Sequence, residues 1–189
     1  MRRRHFRLAL LVAVVGGLAA ASIAFAGHGH GSFFGRNGGD TFAAHLTGYQ
    51  ETPSINSRGT GDFTLTIASN EQSLTFQLSY SGLSGNPTAA HVHVGQVGVA
   101  GGVSFFLCGG GGKPACPAQP ATISGTVAPG DIQAISAQGF NAGDLASVIA
   151  AIRAGVTYAN IHTPSFPNGE IRGQIGSSRG FDHGDEDND

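Results

Sequence analysis

The chain has 189 residues with a formal net charge of -2, and only 12% of its residues are charged. Its length suits one ordinary domain between two processed or polar ends. The 31 glycines and the small share of charged residues favour short strands and turns over long solvated helices. The basic residues form no stripe, and binding to nucleic acid is excluded because phosphate neutralisation needs clustered cations.

Residues 1–26 have the pattern of a secretory signal peptide. A basic start is followed by an apolar run from Leu8, and AFA at residues 24–26 has the small-x-small pattern of a signal-peptidase site. We predict cleavage after Ala26, a secreted or periplasmic protein, and no stable membrane span in the mature chain. Two alternatives stay open. The apolar run is just long enough for an uncleaved anchor, and the paired arginines at residues 3 and 4 resemble a twin-arginine export signal.

The segments on either side of the domain are predicted to be flexible. Residues 27–40 form a Gly- and His-rich lead-in, and residues 177–189 form a disordered acidic tail with almost no apolar residues. After cleavage the lead-in begins GHGH, which can chelate Cu(II) without any fold. Metal binding by this N-terminal lead-in must therefore be distinguished from binding by a folded site.

Eight short runs with frequent alternation of apolar and polar residues predict strands. Runs 61–68 and 73–80 flank a turn at residues 69–72 and should form an antiparallel hairpin. The eight runs are residues 42–48, 61–68, 73–80, 89–95, 102–108, 121–127, 156–163 and 169–175.

One segment has helical periodicity instead. Its apolar residues recur at three- and four-residue spacing, Asn141 or Asp144 stands near its start, and Gly155 is placed to end it. We predict one short helix over residues 144–154. Strands at near-regular intervals with a single helix predict an all-β, antiparallel, Greek-key-like β-sandwich that spans residues 41–176.

The two cysteines flank a Gly-rich loop. In an exported chain, Cys108 and Cys116 are expected to form a local disulfide. The alternatives are two unpaired thiols or a metal-binding pair, although no further cysteine is available to complete a thiolate site.

Two histidines lie one residue apart in the predicted strand AAHVHVG. Side chains on a strand alternate between faces, so His91 and His93 share one face. That geometry suits a metal ion, because neutral imidazole is a common ligand of copper and zinc. It also suits two polar side chains that bond to Asn160, Thr163 or a loop carbonyl and fasten strands together.

The sequence resembles the chordin-type (CHRD) domain family. The motifs that carry the resemblance are AAHVHVG with its Gly-rich turn, the helix ending IRAG, and TYANIHTPSFPNGEIRGQI. The resemblance covers about residues 41 to 176. It implies an extracellular β-sandwich of immunoglobulin or Cu/Zn superoxide dismutase type, but no secure molecular activity.

The likeness to Cu/Zn superoxide dismutase bears on the histidines. His91, His93 and His162 fall at places similar to three copper ligands of that enzyme, and Arg172 at a place similar to its substrate-guiding arginine. The resemblance stops there, because no histidine lies between His93 and His162 to act as a bridging or zinc ligand.

Two functions remain open from the sequence. The first is a non-enzymatic extracellular binding or structural module whose partner is an extracellular protein or a metal ligand. The alternative is a copper- or zinc-binding protein with a trihistidine site and dismutase-like redox activity. No nucleophile or acid-base pair is positioned by the sequence, so we expect no catalytic residues. Glu170 and Arg172 are expected to be structural.

Overall fold

A computed structural model describes residues 40–178. The predicted signal peptide, all but the last residue of the lead-in, and the acidic tail beyond Ser178 lie outside the described residues. The elements in chain order are β1 Thr41–Thr47, β2 Thr60–Ile67, β3 Leu74–Ser81, β4 Ala89–Val94, β5 Gly102–Cys108, β6 Ala121–Val127, α1 Leu145–Arg153, β7 Thr157–His162, β8 Ile171–Gln174 and β9 Gly176–Ser177, with short 3-10 helices at Gly48–Gln50, Pro129–Asp131 and Ser136–Gln138.

The strands form one antiparallel sheet in the order β5-β4-β7-β8-β1-β2-β3-β6, and β9 pairs with β1. Its two four-stranded halves meet at β1 and β8, where Thr47 lies opposite Arg172. The sheet nearly closes into a barrel around the apolar core. The predicted all-β class with one short helix is confirmed, while the Greek-key-like connectivity stays a prediction.

The predicted hairpin is confirmed in register. Strands β2 and β3 pair antiparallel along their whole length, with Phe63 opposite Leu78 and Leu65 opposite Phe76. All four side chains are buried in the core. Because side chains alternate along each strand, the intervening polar residues point away from the core. Burial of each large apolar side chain stabilises the fold by about 1.5–3 kcal/mol.

The single helix lies where its apolar spacing predicts. Asp144 caps the N-terminus, because its Oδ1 accepts a hydrogen bond from the Ser147 amide at 3.0 Å. After the last turn Gly155 has a φ of 70°, a left-handed conformation that glycine adopts without strain. The buried face of the helix packs on the core through Leu145, Val148, Ile149, Ala151 and Ile152. Within residues 40–178, no helix is long and apolar enough to cross a membrane.

The loop between β5 and β6 is closed by a disulfide between Cys108 and Cys116. Inside it, the Gly109 amide donates to the Pro114 carbonyl at 2.7 Å. The loop packs back on β5, because a Cβ at Gly110 or Gly111 would collide with the ring of Phe106. The bridge therefore fixes a compact loop against the end of the sheet.

If the chain is exported, as its first 26 residues predict, we expect this disulfide to be complete, because an oxidising compartment preserves disulfides and the two cysteines are already held together. Under denaturing conditions, a maleimide should label no thiol before reduction and two thiols per chain after it. Mass spectrometry provides the count. Labelling of both cysteines without prior reduction would show that the loop is open in the exported protein.

Candidate metal centre

Three imidazoles meet where β4 pairs with β7. His91 and His93 project from one face of β4, and His162 ends β7 opposite Ala89. The ring centroids of His91 and His93 are 4.6 Å apart, and those of His91 and His162 are 4.5 Å apart. One nitrogen from each ring lies within 4.8 Å of the others. The three residues singled out in the sequence are thus brought together.

The cluster lies on the side of the sheet that faces away from the core and is partly enclosed, with His91 buried and His93 and His162 half-buried. Ala90 and Val92 occupy the core face of β4, so the histidines must point the other way. Phe106, which lies opposite His91 on β5, covers that imidazole edge-on with a ring-centroid distance of 5.1 Å. As a result His91 is buried, with 7% of its surface exposed.

Backbone carbonyls fix which nitrogen of two rings carries the proton. His93 donates from Nδ1 to the Gly101 carbonyl at 2.8 Å, and His162 donates from Nδ1 to the Pro167 carbonyl at 3.0 Å. A carbonyl only accepts, so both rings carry hydrogen on Nδ1 and present a lone pair on Nε2. Partners of this kind orient metal-binding histidines and raise their basicity.

Three other nitrogens of the cluster have no hydrogen-bond partner among residues 40–178. These are His91 Nδ1, His93 Nε2 and His162 Nε2, and all three are buried. A buried polar atom without a partner costs about 1–3 kcal/mol. Each of the three rings has such an atom, and each offers a nitrogen within 4.8 Å of the other two, which is the arrangement expected of ligands that share an ion, so the residues present fit a metal.

Burial also keeps these imidazoles in the form that binds metals. Desolvation, assisted by the neighbouring imidazoles, lowers the pKa of His91 to about 3. Desolvation likewise lowers the pKa of His93 to about 4, although its hydrogen bond to Gly101 opposes the shift. The pKa of His162 is lowered by the same cause. The three rings are therefore neutral at pH 7, with lone pairs available to an ion.

The spacing of the rings is close to what one ion requires. Copper and zinc bind imidazole nitrogen at about 2.0–2.1 Å, so two ligands of one ion lie no more than about 4.2 Å apart. The three nitrogens lie within 4.8 Å of one another.

The hypothesis that hydrogen bonds of His91 and His93 fasten neighbouring strands together is supported only in part. His93 does bond to a loop carbonyl, that of Gly101. Asn160, however, donates to Glu51 Oε1, and Thr163 donates to Glu170 Oε2. The side chains proposed as fastening partners are therefore engaged elsewhere, and His91 keeps an unpaired Nδ1.

Arg172 is buried, with 2% of its surface exposed, and does not point to solvent as a substrate-guiding group would. Its guanidinium donates to the carbonyls of Gln96 at 2.9 Å and Val99 at 3.1 Å. It also stacks on Tyr158, with Cζ 3.5 Å from the ring centroid. The role implied for Arg172 by the dismutase likeness is therefore replaced by a structural one.

Tyr158 connects that cation to the cluster. Its ring stacks on His93 with a centroid distance of 4.6 Å and an interplanar angle of 3°. Its hydroxyl accepts a hydrogen bond from the Gly101 amide at 3.1 Å, next to the carbonyl that orients His93. Arg172, Tyr158 and His93 therefore stack in that order, and the stack restricts the orientation of the His93 ring.

Sequence reasoning missed Glu51. It lies in the loop after β1, where no motif marks it, and it reaches the site through long-range packing against Asn160. Burial raises the pKa of Glu51 to about 7, although the charge of Arg172 and hydrogen bonds from Thr52 and Asn160 act against the shift. Glu51 therefore contacts β7 through Asn160 and lies close enough to Arg172 for the two charges to interact.

Glu170 has the structural role expected of it. Its carboxylate is completely buried and accepts hydrogen bonds from Ser57, Ser84 and Thr163. None of these donors is a histidine of the cluster. Glu170 therefore ties the loops at residues 57 and 84 to the end of β7 and does not act as a partner of His162.

Fold and site together define a class: the described residues form an all-β domain with a partly buried three-histidine cluster on the outer face of its sheet. The chain belongs to the CHRD domain family, whose sequence profile matches residues 42–175. Comparison with curated proteins and with solved structures gives no significant match. Membership identifies the domain but assigns it no reaction.

Proposed function

We propose that this CHRD domain is an exported metal-binding module that holds one copper or zinc ion through His91, His93 and His162. The observation that carries the proposal is that each of the three rings offers a nitrogen within 4.8 Å of the others and has a buried nitrogen without a hydrogen-bond partner in the described part of the chain. Neutral rings held by carbonyls supply the lone pairs an ion needs.

Export is supported by two independent features. The first 26 residues have the basic, apolar and small-x-small order of a secretory signal. The disulfide between Cys108 and Cys116 is of a kind that persists in oxidising compartments. The module is therefore placed by this proposal in the periplasm or outside the cell.

A non-enzymatic role is favoured by the surroundings of the cluster. Arg172 is bonded to carbonyls and Glu170 to hydroxyl and amide donors, so neither charge is available to a substrate. A bound ion would supply Lewis acidity, and copper would add one-electron chemistry. The residues of the chain would hold the ion, orient two of its ligands through backbone carbonyls and cover the third with Phe106.

The test is a metal titration of the mature chain in which His28 and His30 of the lead-in are replaced with Ala. We expect one Cu or Zn ion per chain, and a loss of affinity on the order of 100-fold or more in each of His91→Ala, His93→Ala and His162→Ala, since each removes one of three ligands. His45→Ala is the matched control, because that exposed histidine pairs only with Asp62.

Binding no stronger than that of the triple-Ala variant would show that the site does not exist. Stoichiometric binding without loss of superoxide is the result we expect from an activity assay. It would limit the likeness to superoxide dismutase to fold and ligand placement.

A further inference from the structure

We propose that Phe106 and the loop closed by the Cys108–Cys116 disulfide form a lid that sets how fast a metal ion enters and leaves the trihistidine site. The inference rests on the proposed metal-binding function and deepens it, because it names the residues that control exchange of the ion. The contacts that carry it run from the loop to Phe106 and from Phe106 to His91.

Phe106 lies on the outer face of the sheet although its ring is apolar. Its neighbours Phe105 and Leu107 are buried in the core, so alternation along β5 turns Phe106 toward the cluster. The ring lies edge-on to His91, with a centroid distance of 5.1 Å and an interplanar angle of 82°. His91 is also the most buried of the three proposed ligands. The Phe106 ring therefore covers the site on the side of β5.

The loop that follows β5 supports this ring through two glycines. A Cβ at Gly110 would lie 2.4 Å from Cε1 of Phe106, and a Cβ at Gly111 would lie 2.5 Å from Cδ2. These two atoms belong to opposite edges of the ring, so the loop backbone lies across it. A side chain at either position would displace the ring or the loop, because both distances are shorter than Cβ contacts allow.

The same loop contacts the chain segment that pairs with a second ligand. A Cβ at Gly109 would lie 2.1 Å from the carbonyl oxygen of Thr88, which directly precedes β4. The Thr88 amide in turn donates to the His162 carbonyl at 2.9 Å. The loop is therefore packed beside two of the three imidazoles, although it contributes no ligand.

The disulfide is the covalent closure of this loop. Cys108 ends β5 in the core, and Cys116 packs against the same core. Without the bond, residues 109–115 would keep the attachment of Lys113, whose Nζ contacts Asp131 Oδ1 at 2.8 Å and the Thr126 carbonyl at 3.2 Å. These contacts are weaker than a covalent bond. An open loop therefore has more conformations available, and the ring loses part of its support.

The lid should affect rates more than affinity. The imidazoles are positioned by the pairing of β4 with β7 and, for two of them, by the carbonyls of Gly101 and Pro167. Phe106 supplies no ligand atom. Loss of the lid should therefore raise the rates of binding and release together and leave the dissociation constant nearly unchanged, because that constant is the ratio of the two rates.

The experiment measures release of Zn(II) from the loaded mature chain with His28→Ala and His30→Ala; Cu(II) replaces it where titration shows that only copper binds. The ion is transferred to a chromophoric chelator in a stopped-flow instrument, and the rate is extrapolated to vanishing chelator concentration. Phe106→Ala should release the ion about tenfold faster or more, with a dissociation constant within about threefold of the parent value. Phe140→Ala is the matched control, because it removes a half-buried ring that packs on the core.

The double substitution Cys108→Ser with Cys116→Ser tests the support that the loop gives. This variant should release the ion several-fold faster than the parent. Added to Phe106→Ala it should have little further effect, because both changes act through the same ring. Circular dichroism at the assay temperature establishes that each variant is folded. Phe106→Ala keeps the disulfide, so it tests the lid even where the serine variant is unstable.

The outcomes separate the lid from the metal site. Release at the parent rate from folded Phe106→Ala, or a loss of affinity as large as that in His91→Ala, overturns the lid and leaves the metal site standing. Release at the parent rate from the folded serine variant, or full additivity with Phe106→Ala, overturns the role of the loop. A parent protein that binds neither Zn(II) nor Cu(II) overturns the proposed function and the lid together.

Discussion

Replacing Glu170 with Ala is expected to lower the free energy of unfolding by about 3–5 kcal/mol, because several buried donors lose their acceptor. The carboxylate is completely buried. It accepts hydrogen bonds from Ser57 Oγ at 2.6 Å, from the Ser84 amide at 2.8 Å and hydroxyl at 2.7 Å, and from Thr163 Oγ1 at 2.6 Å. Truncation leaves these buried donors without an acceptor. Each unsatisfied donor then loses its hydrogen bond without regaining one to water, which destabilises the fold.

Urea unfolding, monitored by circular dichroism, measures this loss in the free energy of unfolding. Glu170→Gln keeps the shape but places an amide N–H among donors, so we expect a smaller loss of about 2 kcal/mol. Asp62→Ala removes an exposed carboxylate that pairs with His45 and should change stability little. Equal stability of the Glu170→Ala and Asp62→Ala proteins would disprove the buried network.

The network also has a defined pH dependence. Burial opposes ionisation of Glu170, but hydrogen bonds from Ser57, Thr163 and Ser84 outweigh it and lower the pKa below the ordinary value of 4.5. A carboxyl group with a lowered pKa stabilises the fold above the unfolded pKa, and that stability is lost as the pH falls through the folded value. Below about pH 4.5, the parent should therefore lose stability more steeply than Glu170→Gln.

Replacing His91 with Leu is expected to stabilise the metal-free protein by about 1–2 kcal/mol while it abolishes metal binding. The change removes a buried Nδ1 that has no partner within residues 40–178. It adds an apolar side chain of similar size against Phe106, which already covers this position. A gain in stability at the expense of binding is the pattern of a functional residue rather than a structural one.

Thermal unfolding with and without metal measures both effects. An ion at 100 times its dissociation constant should stabilise the parent by about 2.7 kcal/mol and the His91→Leu protein by nothing. His45→Leu, at an exposed position, is the control for the substitution itself. If His91→Leu destabilises the metal-free protein, His91 is a strand fastener after all.

Lowering the pH should reduce the stability of the parent protein more than that of the His91→Leu protein. An unfolded histidine binds a proton near pH 6.5, whereas burial lowers the pKa of His91 to about 3 in the fold. The stability that depends on a neutral His91 is thus fully present above pH 6.5 and declines as the pH falls from there toward the pKa of the folded state. Over that range, stability of the His91→Leu protein should fall less steeply than that of the parent.

The sequence by itself determined the local elements. Alternation of apolar residues determines eight of the nine strands, because a two-residue period exposes one face to the core whatever strand lies beside it, whereas the two-residue strand β9 has no such pattern. That same period places His91 and His93 on one face. Asp144 and Gly155 determine the ends of the helix, because capping depends on residues within one turn.

Only the tertiary structure determined which side chains lie against the faces of these strands. The register of β4 against β7 brings His162 to His91, and no local pattern encodes a register between segments about 70 residues apart. The same holds for Phe106 over His91, for the contact of Glu51 with Asn160, and for the stack of Arg172 on Tyr158. Burial, charge and the unpaired nitrogens of the site arise from these long-range contacts, since they depend on which side chains enclose a residue and not on its neighbours in the chain.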